Sequence, residues 1–263
     1  MSEGRGSMLE RGIGVLQAFR PYGQTLTLAA LVERTGLAKA TVHRLADELV
    51  ELGLLERRRV GYRLGIGLFE LGELVHTKSN LRAVALPFMG DLYEISRETV
   101  HLAVPDGTDV VYAEKLCGHN SAEVPSRVGG RLPMSCTAGG KALLAHADRE
   151  TVEKALSRPL RKLTDRSLTH PAELNQQLAE IRRTGLAFDS EETASGVSCI
   201  AVPIFVEGTA RAALSLTMAT ERLVAPNIGP ALRAVGFAFG RAMHESKQRY
   251  LESAQGRLVR GNW

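Results

Sequence analysis

Residues 26–45, LTLAALVERTGLAKATVHRL, contain two short helical patterns on either side of Gly36. Thr27 can N-cap a helix that runs to about Thr35, because its hydroxyl can accept a hydrogen bond from a backbone amide of the first turn. Glycine adopts the left-handed conformation that ends a helix at little cost, and a further helical pattern follows over residues 39–52. Two short helices joined by a tight turn that contains glycine are a helix-turn-helix motif.

The residues on both sides of this motif extend it to a winged helix-turn-helix fold. Residues 9–20 place apolar side chains at helical spacing and predict a preceding helix. Residues 54–64 suit a β-hairpin, and its tip would carry Arg57, Arg58 and Arg59. A hairpin directly after the second helix of such a motif is a wing.

The exposed side chains of this region suit contacts with DNA. Arg44 can donate two hydrogen bonds to a guanine edge, and Lys39 can reach a base or a phosphate. Thr27 and the amides beside it can hold a phosphate, and the wing arginines suit phosphate or minor-groove contacts. Each side chain alone could equally be a solvated surface group, but their joint occurrence favours DNA binding. The candidate DNA-binding residues are Thr27, Lys39, Ala40, Thr41, His43, Arg44, Arg57, Arg58 and Arg59.

Composition and charge agree with a DNA-binding protein that stays in the cell. The 263 residues are 44% hydrophobic and 24% charged, and no stretch reaches the roughly 18 apolar residues of a membrane span. The net charge is +4, and the first 64 residues hold ten basic and seven acidic groups. The N-terminus has no apolar core of a secretion signal. We therefore expect a cytoplasmic protein without a membrane partner.

The chain offers little for catalysis or metal binding. Cys117, Cys136 and Cys199 are too few and too scattered for a disulfide framework. Cys117 and His119 are close in sequence, but a structural metal needs about four ligands. The best enzyme hypothesis makes Cys136 or Cys199 a nucleophile with a histidine base, and no GxSxG or P-loop pattern supports another. We predict no catalytic residue, no metal and no cofactor.

The rest of the chain predicts a mixed α/β domain after a connecting helix. Residues 66–78 carry a narrow apolar stripe of Leu68, Leu71 and Val75. From the residues alone, this stripe fits a helix packed on its own domain as well as a linker helix that pairs with its copy in a dimer. Downstream we predict helices at 84–95, 137–147, 150–156, 172–183 and 227–252, and strands at 99–104, 110–113, 186–188, 199–206 and 210–218.

Several ordered motifs resemble one family. Residues 26–45, continued by ELGLL at 51–55, closely resemble the helix-turn-helix of IclR-family transcription regulators. Further matches are ETVHLAVPDG at 98–107, VGGRLPM at 128–134, TAGGKALLA at 137–145, FDSEE at 188–192 and GVSCIAVP at 196–203. The resemblance covers about residues 8–245.

The resemblance implies an α+β protein of two domains. It implies a winged helix-turn-helix at 1–64, a linker helix at 65–80, a GAF-like effector domain with an antiparallel sheet at 81–250, and a tail at 251–263. Family members are usually homodimers, often dimers of dimers and so homotetramers, that bind palindromic operators in double-stranded DNA. A small-molecule effector, such as a small organic acid, controls operator affinity, and repression is the commoner mode.

The resemblance also implies an effector pocket. Ala138 and Gly139 stand at a helix start whose amides could receive a carboxylate, although many relatives have glycine-type or leucine residues there. Thr217 replaces a frequent serine. From the residues alone, Cys199 could be a core thiol, and Ser215 an ordinary strand serine. The candidate effector-binding residues are Leu132, Ala138, Gly139, Asp189, Cys199, Ser215 and Thr217.

The sequence also allows one non-catalytic alternative to DNA binding. The winged helix could serve protein contacts, with the α/β domain as a scaffold and no sequence-specific DNA binding. Operator binding should weaken steeply with salt, because counterions are released at each phosphate contact. An apolar protein interface should respond far less.

Overall fold

The computed structural model of the chain describes residues 6–20, 24–119, 124–157, 159–223 and 225–260. Its backbone contacts divide it into two compact units, Met1–Ser79 and Asn80–Trp263. The first unit is a winged helix-turn-helix, and the second is an α/β unit built on an antiparallel sheet. The predicted α+β fold class is confirmed.

The first unit consists of helices α1–α4 and a two-stranded wing. Ser7 opens it with a capping box, in which its hydroxyl accepts from the Glu10 amide and its amide donates to the Glu10 carboxylate at 2.6 Å. Side chains of three helices and the wing, Val15, Leu31 and Leu55 among them, form one buried core. The elements are α1 Met8–Gln17, α2 Leu28–Thr35, α3 Lys39–Glu51, β1 Leu55–Arg58, β2 Gly61–Leu64 and α4 Gly67–Glu73.

The helix-turn-helix has the predicted caps. The Thr27 hydroxyl accepts a hydrogen bond from the Ala30 amide at 3.2 Å. Gly36 ends α2 with a φ of 66°, in the left-handed region. The first helix ends at Gln17, three residues before the predicted Arg20, because Ala18 already serves as its C-cap.

The wing is closed against the segment before α2. Leu26 and Tyr62 exchange backbone hydrogen bonds of 2.9 and 2.8 Å, which adds a third chain segment to the β1–β2 hairpin. Gly61 has a φ of 143°, and a Cβ built there would lie 2.2 Å from the Leu26 carbonyl oxygen. The close approach of the two segments therefore requires glycine at this position.

We expect Gly61→Ala to destabilise the wing by about 2 kcal/mol or more, because it adds a backbone clash to a strained φ. Gly12→Ala is the matched control, since a Cβ there meets nothing within 4 Å and alanine in a helix is about 1 kcal/mol better than glycine. Hydrogen exchange of the backbone amides of residues 54–64 measures the effect. Unchanged protection of these amides in Gly61→Ala would contradict the expectation.

The prediction of a single helix over residues 66–78 is wrong. The chain forms α4 over Gly67–Glu73 and begins a new helix, α5, at His76. The amides of Leu74 and Val75 bond to carbonyls only three residues back, at 3.3 and 3.2 Å, which is the tightened geometry of a helix end. Gly72, a poor helix former, lies inside this last turn.

The second unit is built on a six-stranded antiparallel sheet in the order β5–β4–β3–β8–β7–β6. Two hairpins form its centre, and Glu207 and Gly208, both with positive φ, make the tight turn between β7 and β8. The strands are β3 Thr99–Asp106, β4 Asp109–Leu116, β5 Arg131–Pro133, β6 Ala187–Ser190, β7 Val197–Val206 and β8 Thr209–Ala219.

Helices cover both faces of this sheet. On one face Leu102 and Leu214 pack with Met89 of α5 and Phe239 of α9. The opposite face packs against α6 and α8 in a second cluster. The helices are α5 His76–Ser96, α6 Ala138–Leu144, α7 Arg149–Leu156, α8 Pro171–Thr184 and α9 Ala225–Arg260.

The end of the chain differs from the prediction. The final helix was expected to stop near residue 252, with a frayed tail beyond it, but α9 continues to Arg260. After Pro230 this stretch has no further proline and is rich in good helix formers. The last three residues, 261–263, lie outside the described part of the chain.

Candidate functional site

The exposed face of α3 contains the predicted DNA-facing side chains. Lys39, Ala40, His43 and Arg44 are exposed in the first turns of the helix, while Thr41 is half-buried. Val42 and Leu45 on the opposite face are buried in the core of the unit. The helical repeat therefore separates a packed side from a side that can enter a groove.

Two side chains of this face pair with carboxylates one turn on. His43 Nδ1 lies 3.0 Å from Asp47, and Arg44 Nη1 lies 3.3 Å from Glu48. Both pairs are exposed, so each contributes only about 0–1 kcal/mol. Arg44 can therefore leave Glu48 for a stronger partner at small cost.

The three wing arginines differ in their surroundings. Arg57 pairs with Asp47 of α3, and its guanidinium lies 5.1 Å above the Tyr62 ring. Arg58 lies 2.9 Å from Glu56 within the hairpin. Arg59 is exposed in the turn and has no ion pair with any residue in the described part of the chain. Arg59 is thus the wing arginine most available for a phosphate.

In the second unit, all seven candidate effector residues line one cavity. Alternation along the strands is the reason. On β8, Leu214 and Leu216 point to the face that carries α5 and α9, so Ser215 and Thr217 point to the face that carries α6. Cys199 of β7 pairs with Thr217 in register and lies on the same face.

The helix α6 closes this cavity at its N-terminal end. Thr137 caps it, because its hydroxyl accepts from the Gly140 amide at 3.1 Å. Ala138 and Gly139 are the first two helical residues, whose amides have no partner within a helix. A Cβ on Gly139 would already touch the Cβ atoms of Ala103 and Ala213 at 3.6 Å, so small residues let this helix end approach the sheet.

A buried histidine connects the polar wall of the cavity. His101 Nε2 lies 2.7 Å from Ser126 Oγ, and Nδ1 lies 3.3 Å from Thr217 Oγ1. Thr217 Oγ1 also lies 3.1 Å from Cys199 Sγ. Burial, with the Lys115 charge nearby, lowers the pKa of His101 to about 3. The imidazole is therefore neutral at physiological pH and acts as a hydrogen-bonding group.

Asp189 places a carboxylate in the same cavity. It accepts hydrogen bonds from the Glu192 amide at 2.7 Å and from the Thr193 hydroxyl. Burial raises its pKa, and the two hydrogen bonds and the Lys141 ammonium act in the opposite direction. The Cys199 thiol is a further hydrogen-bonding neighbour of this carboxylate, so Asp189 connects β6 to the polar wall of the cavity.

Comparisons with known proteins give this geometry a context. The IclR helix-turn-helix domain matches residues 8–59, and the bacterial transcriptional regulator IclR C-terminal domain matches residues 74–236. The chain belongs to the IclR family. It is 33% identical over 242 residues to the HTH-type transcriptional regulator XynR of Escherichia coli, covering 89% of this chain and 96% of XynR.

The names of two further relatives state a mode of regulation and a bound ligand. The transcriptional repressor IclR of Escherichia coli is 34% identical over 212 residues, covering 78% of this chain and 76% of the repressor. The crystal structure of an IclR homolog from Microbacterium hydrocarbonoxydans, complexed with 4-hydroxybenzoate, has 34% identity and a TM-score of 0.84. The match covers 91% of this chain and all of the homolog.

This IclR-family protein is therefore a transcription regulator with a DNA-binding helix-turn-helix and a ligand-binding C-terminal domain, and not an enzyme. The thiol chemistry agrees. Burial raises the pKa of Cys136 to about 12 and that of Cys199 well above its ordinary value. Both thiols stay protonated at neutral pH, whereas a nucleophilic cysteine must be a thiolate.

Two other features of the regulator concern metals and membranes. The ring of His119 is bonded through Nδ1 to the Tyr93 hydroxyl at 2.7 Å. Within the described ranges, no group of three or more His, Cys, Asp or Glu residues is arranged to hold a metal ion. None of the helices described has the length and apolar character of a membrane span.

The sequence reasoning missed part of the IclR-family pocket. His101, Tyr112, Thr137 and Thr193 also line the cavity. Strand alternation could have found His101, because it lies two residues before the inward-facing Ala103 in a strand that was predicted. Thr193 follows the end of β6, and no periodicity applies to a turn.

Proposed function

We propose that this regulator binds a palindromic operator as a homodimer, that it acts mainly as a repressor, and that a small hydroxylated organic acid controls its operator affinity. The observation that carries the proposal is the exposed face of α3, where Lys39, Ala40, His43 and Arg44 lie on the side of the helix that can enter a major groove. The names of the relatives, which include a transcriptional repressor and an acetate operon repressor, support repression.

In this proposal the DNA contacts divide into two kinds. Arg44 and His43 read base edges, and Ala40 allows close approach or touches a thymine methyl. Lys39, Thr41, Arg58 and Arg59 contact phosphates. The α2 amides behind Thr27 hold a further phosphate, because the Thr27 hydroxyl is already used as the cap. Arg57 mainly stabilises the position of the wing against α3 through its ion pair with Asp47.

Exposed apolar side chains of the first unit support a dimer. Leu9 and Ile13 on α1, and Phe69 and Leu71 on α4, are all at least 44% exposed. Apolar faces of this kind mark protein contact sites. A two-fold dimer then explains a palindromic operator, and pairing of dimers into a tetramer is the extension that the family suggests. DNA as the partner also favours a cytoplasmic location.

The polar groups of the cavity support an acid that also carries a hydroxyl. The amides of Ala138 and Gly139, which have no partner within the helix, favour a carboxylate, while the Asp189 carboxylate accepts from a hydroxyl. Ser215 and Thr217 orient the ligand, and Leu132 and Cys199 supply apolar contact. 4-Hydroxybenzoate, which is bound by the Microbacterium homolog, has both groups and is the first ligand to test.

Effector binding has to move the walls of this cavity. The enclosed space is only about 20 Å³, which is enough for about one water molecule. An acid of ten heavy atoms therefore requires expansion, and a ligand that favours the expanded arrangement shifts the population toward it. Operator affinity changes if the two arrangements differ in how they place the paired DNA-binding domains, which the predicted 65–80 linker would transmit.

Titration of labelled DNA from upstream of the gene, beside a shuffled fragment, tests the proposal. We expect preferential binding to the native fragment, and a loss of affinity of about 10³-fold between 50 and 200 mM salt if six phosphates are contacted. Weak salt dependence, or no binding at low salt, would favour the alternative of a protein-interaction scaffold. Adding 4-hydroxybenzoate then tests the effector step.

For the effector pocket, we expect Thr217→Val to weaken 4-hydroxybenzoate binding by about fivefold, because it removes a hydroxyl worth about 1 kcal/mol without changing the volume. Ser198→Ala is the control, since Ser198 bonds to Thr220 instead and does not line the cavity. Calorimetry on both variants measures the difference. Equal affinity in wild type and Thr217→Val would remove Thr217 from the site.

A further inference from the structure

The second unit has a groove that is separate from the effector cavity. It lies between the 165–168 segment, α8 and the end of β6, and we call it the α8 groove. Its volume is about 930 Å³, in the range of roughly 300–1,000 Å³ that small-molecule sites occupy. Four side chains form its apolar walls: Leu168, Ile181, Leu186 and Phe188.

The floor of the α8 groove contains an unsatisfied acceptor. Lys141 Nζ donates to Glu192 Oε1 at 2.5 Å and to Gln177 Oε1 at 2.7 Å. Glu192 is only 4% exposed, and its Oε2 atom is buried and makes no hydrogen bond of good geometry to the described residues, although the Ser190 amide is a backbone donor beside the carboxylate. Buried polar atoms in native proteins nearly always have a partner. Glu192 and Gln177 both line the groove, so a rotation of the Glu192 carboxylate would bring this buried oxygen to a donor group of a ligand there.

The charge of the buried cluster favours a cationic donor. Two carboxylates, Asp189 and Glu192, share one ammonium, that of Lys141. Burial raises the pKa of Glu192, and the neighbouring Asp189 charge acts in the same direction. A buried carboxylate without full compensation either takes up a proton or needs a second cation, and an ammonium in the groove would supply that cation.

The charged groups at the rim already have partners and do not compete for Glu192. Glu180 pairs with Arg183 at 2.6 Å, and Asp165 pairs with Lys162 at 2.7 Å. The Arg233 guanidinium donates to the Thr184 carbonyl at 3.2 Å. Arg166 lies 3.9 Å from Glu191.

We propose that the α8 groove is a second ligand site for a protonated amine with an apolar body, whose ammonium donates to Glu192 Oε2 while the body packs on Leu168, Ile181 and Phe188. The ligand class is an arylalkylamine or a similar monoamine. The apolar walls of the groove match the hydrocarbon body of such a molecule, and the acidic floor matches its ammonium group.

This site lies back to back with the effector cavity. Asp189 and Thr193 line the cavity, whereas Ser190 and Glu192 line the groove. The Glu192 amide donates to Asp189 at 2.7 Å, so the two sites share the 189–193 segment. An amine in the groove therefore changes effector affinity, and by linkage the effector changes amine affinity equally. This coupling rests on the proposed function, but the amine site itself does not.

Calorimetry on the full chain with 2-phenylethylamine and 3-phenylpropionate tests the site, because these probes share a body and differ in charge. We expect the amine to bind at least tenfold more tightly than the acid. Glu192→Gln should weaken amine binding at least tenfold. Ser190→Trp fills the groove from an exposed position and should abolish it, while Thr209→Trp, at an exposed position of the β7–β8 hairpin, should leave it unchanged.

Equal binding of the two probes, or no amine binding by a folded wild-type chain, overturns the proposal. Amine binding that survives Ser190→Trp and is displaced by 4-hydroxybenzoate places the amine in the effector cavity and also overturns it. Simultaneous binding of both compounds supports it. A failure of 4-hydroxybenzoate alone contradicts only the proposed effector class.

Discussion

Replacing Arg44 with alanine is expected to weaken specific operator binding by about 100-fold, because each copy in a dimer loses a base contact worth about 1–3 kcal/mol. The exposed pair with Glu48 does not offset this loss, since Arg44 gives it up on binding. Fluorescence anisotropy with the upstream fragment at fixed salt measures the change. Binding to shuffled DNA should fall far less, because that binding depends mainly on total charge.

Arg44→Lys separates base reading from charge. Lysine keeps the charge but cannot present the planar fork of the guanidinium, so we expect specific binding to fall and non-specific binding to remain. Arg183→Ala, on α8 in the other unit and paired with Glu180, is the matched control with the same change of charge. If Arg44→Ala and Arg183→Ala have the same small effect, α3 does not read the operator.

The largest expected effect on stability is that of Lys141→Met. Lys141 is fully buried, and its ammonium bonds to Glu192 and Gln177. Removing one partner of a buried ion pair leaves an uncompensated charge and costs about 3–5 kcal/mol. Urea unfolding, followed by the transition of the second unit, should show this loss.

Two further variants test whether the loss of stability comes from breaking the buried Lys141–Glu192 ion pair or from removing any paired lysine. Lys141→Met combined with Glu192→Met should recover most of the stability, because an apolar pair of similar volume is often neutral. Lys154→Met removes the exposed partner of Glu150 and should cost less than about 1 kcal/mol. A Lys141→Met chain as stable as wild type would contradict the buried-pair interpretation.

Local patterns predicted most of the elements but not their exact junctions. The caps at Thr27 and Gly36 determine α2, so its end at Thr35 was predictable. The break between α4 and α5 was not, because Val75 continues the apolar stripe through the break and a single glycine, Gly72, does not by itself end a helix; the backbone hydrogen bonds show the interruption. The short β5 was missed for a similar reason, since three residues are too few for a period to be recognised.

The residues that line the pocket were predictable, but the hydrogen bonds and the ion pair that connect the residues around it were not. The seven residues implied by the family resemblance lie around one cavity, although their roles remain predictions. The buried contact between Lys141 and Glu192 spans 51 positions, and no local pattern relates two residues so far apart. The same limit applies to His101 and Thr217, which lie 116 positions apart.

The contacts of Asp189 restrict how this pocket can evolve. A substitution there disturbs the Glu192 amide, and with it the carboxylate that neutralises Lys141. Leu132 and Ser215 line the same cavity without a part in that buried pair. New effector preferences should therefore arise first at Leu132 and Ser215, while Asp189 changes only together with compensating substitutions.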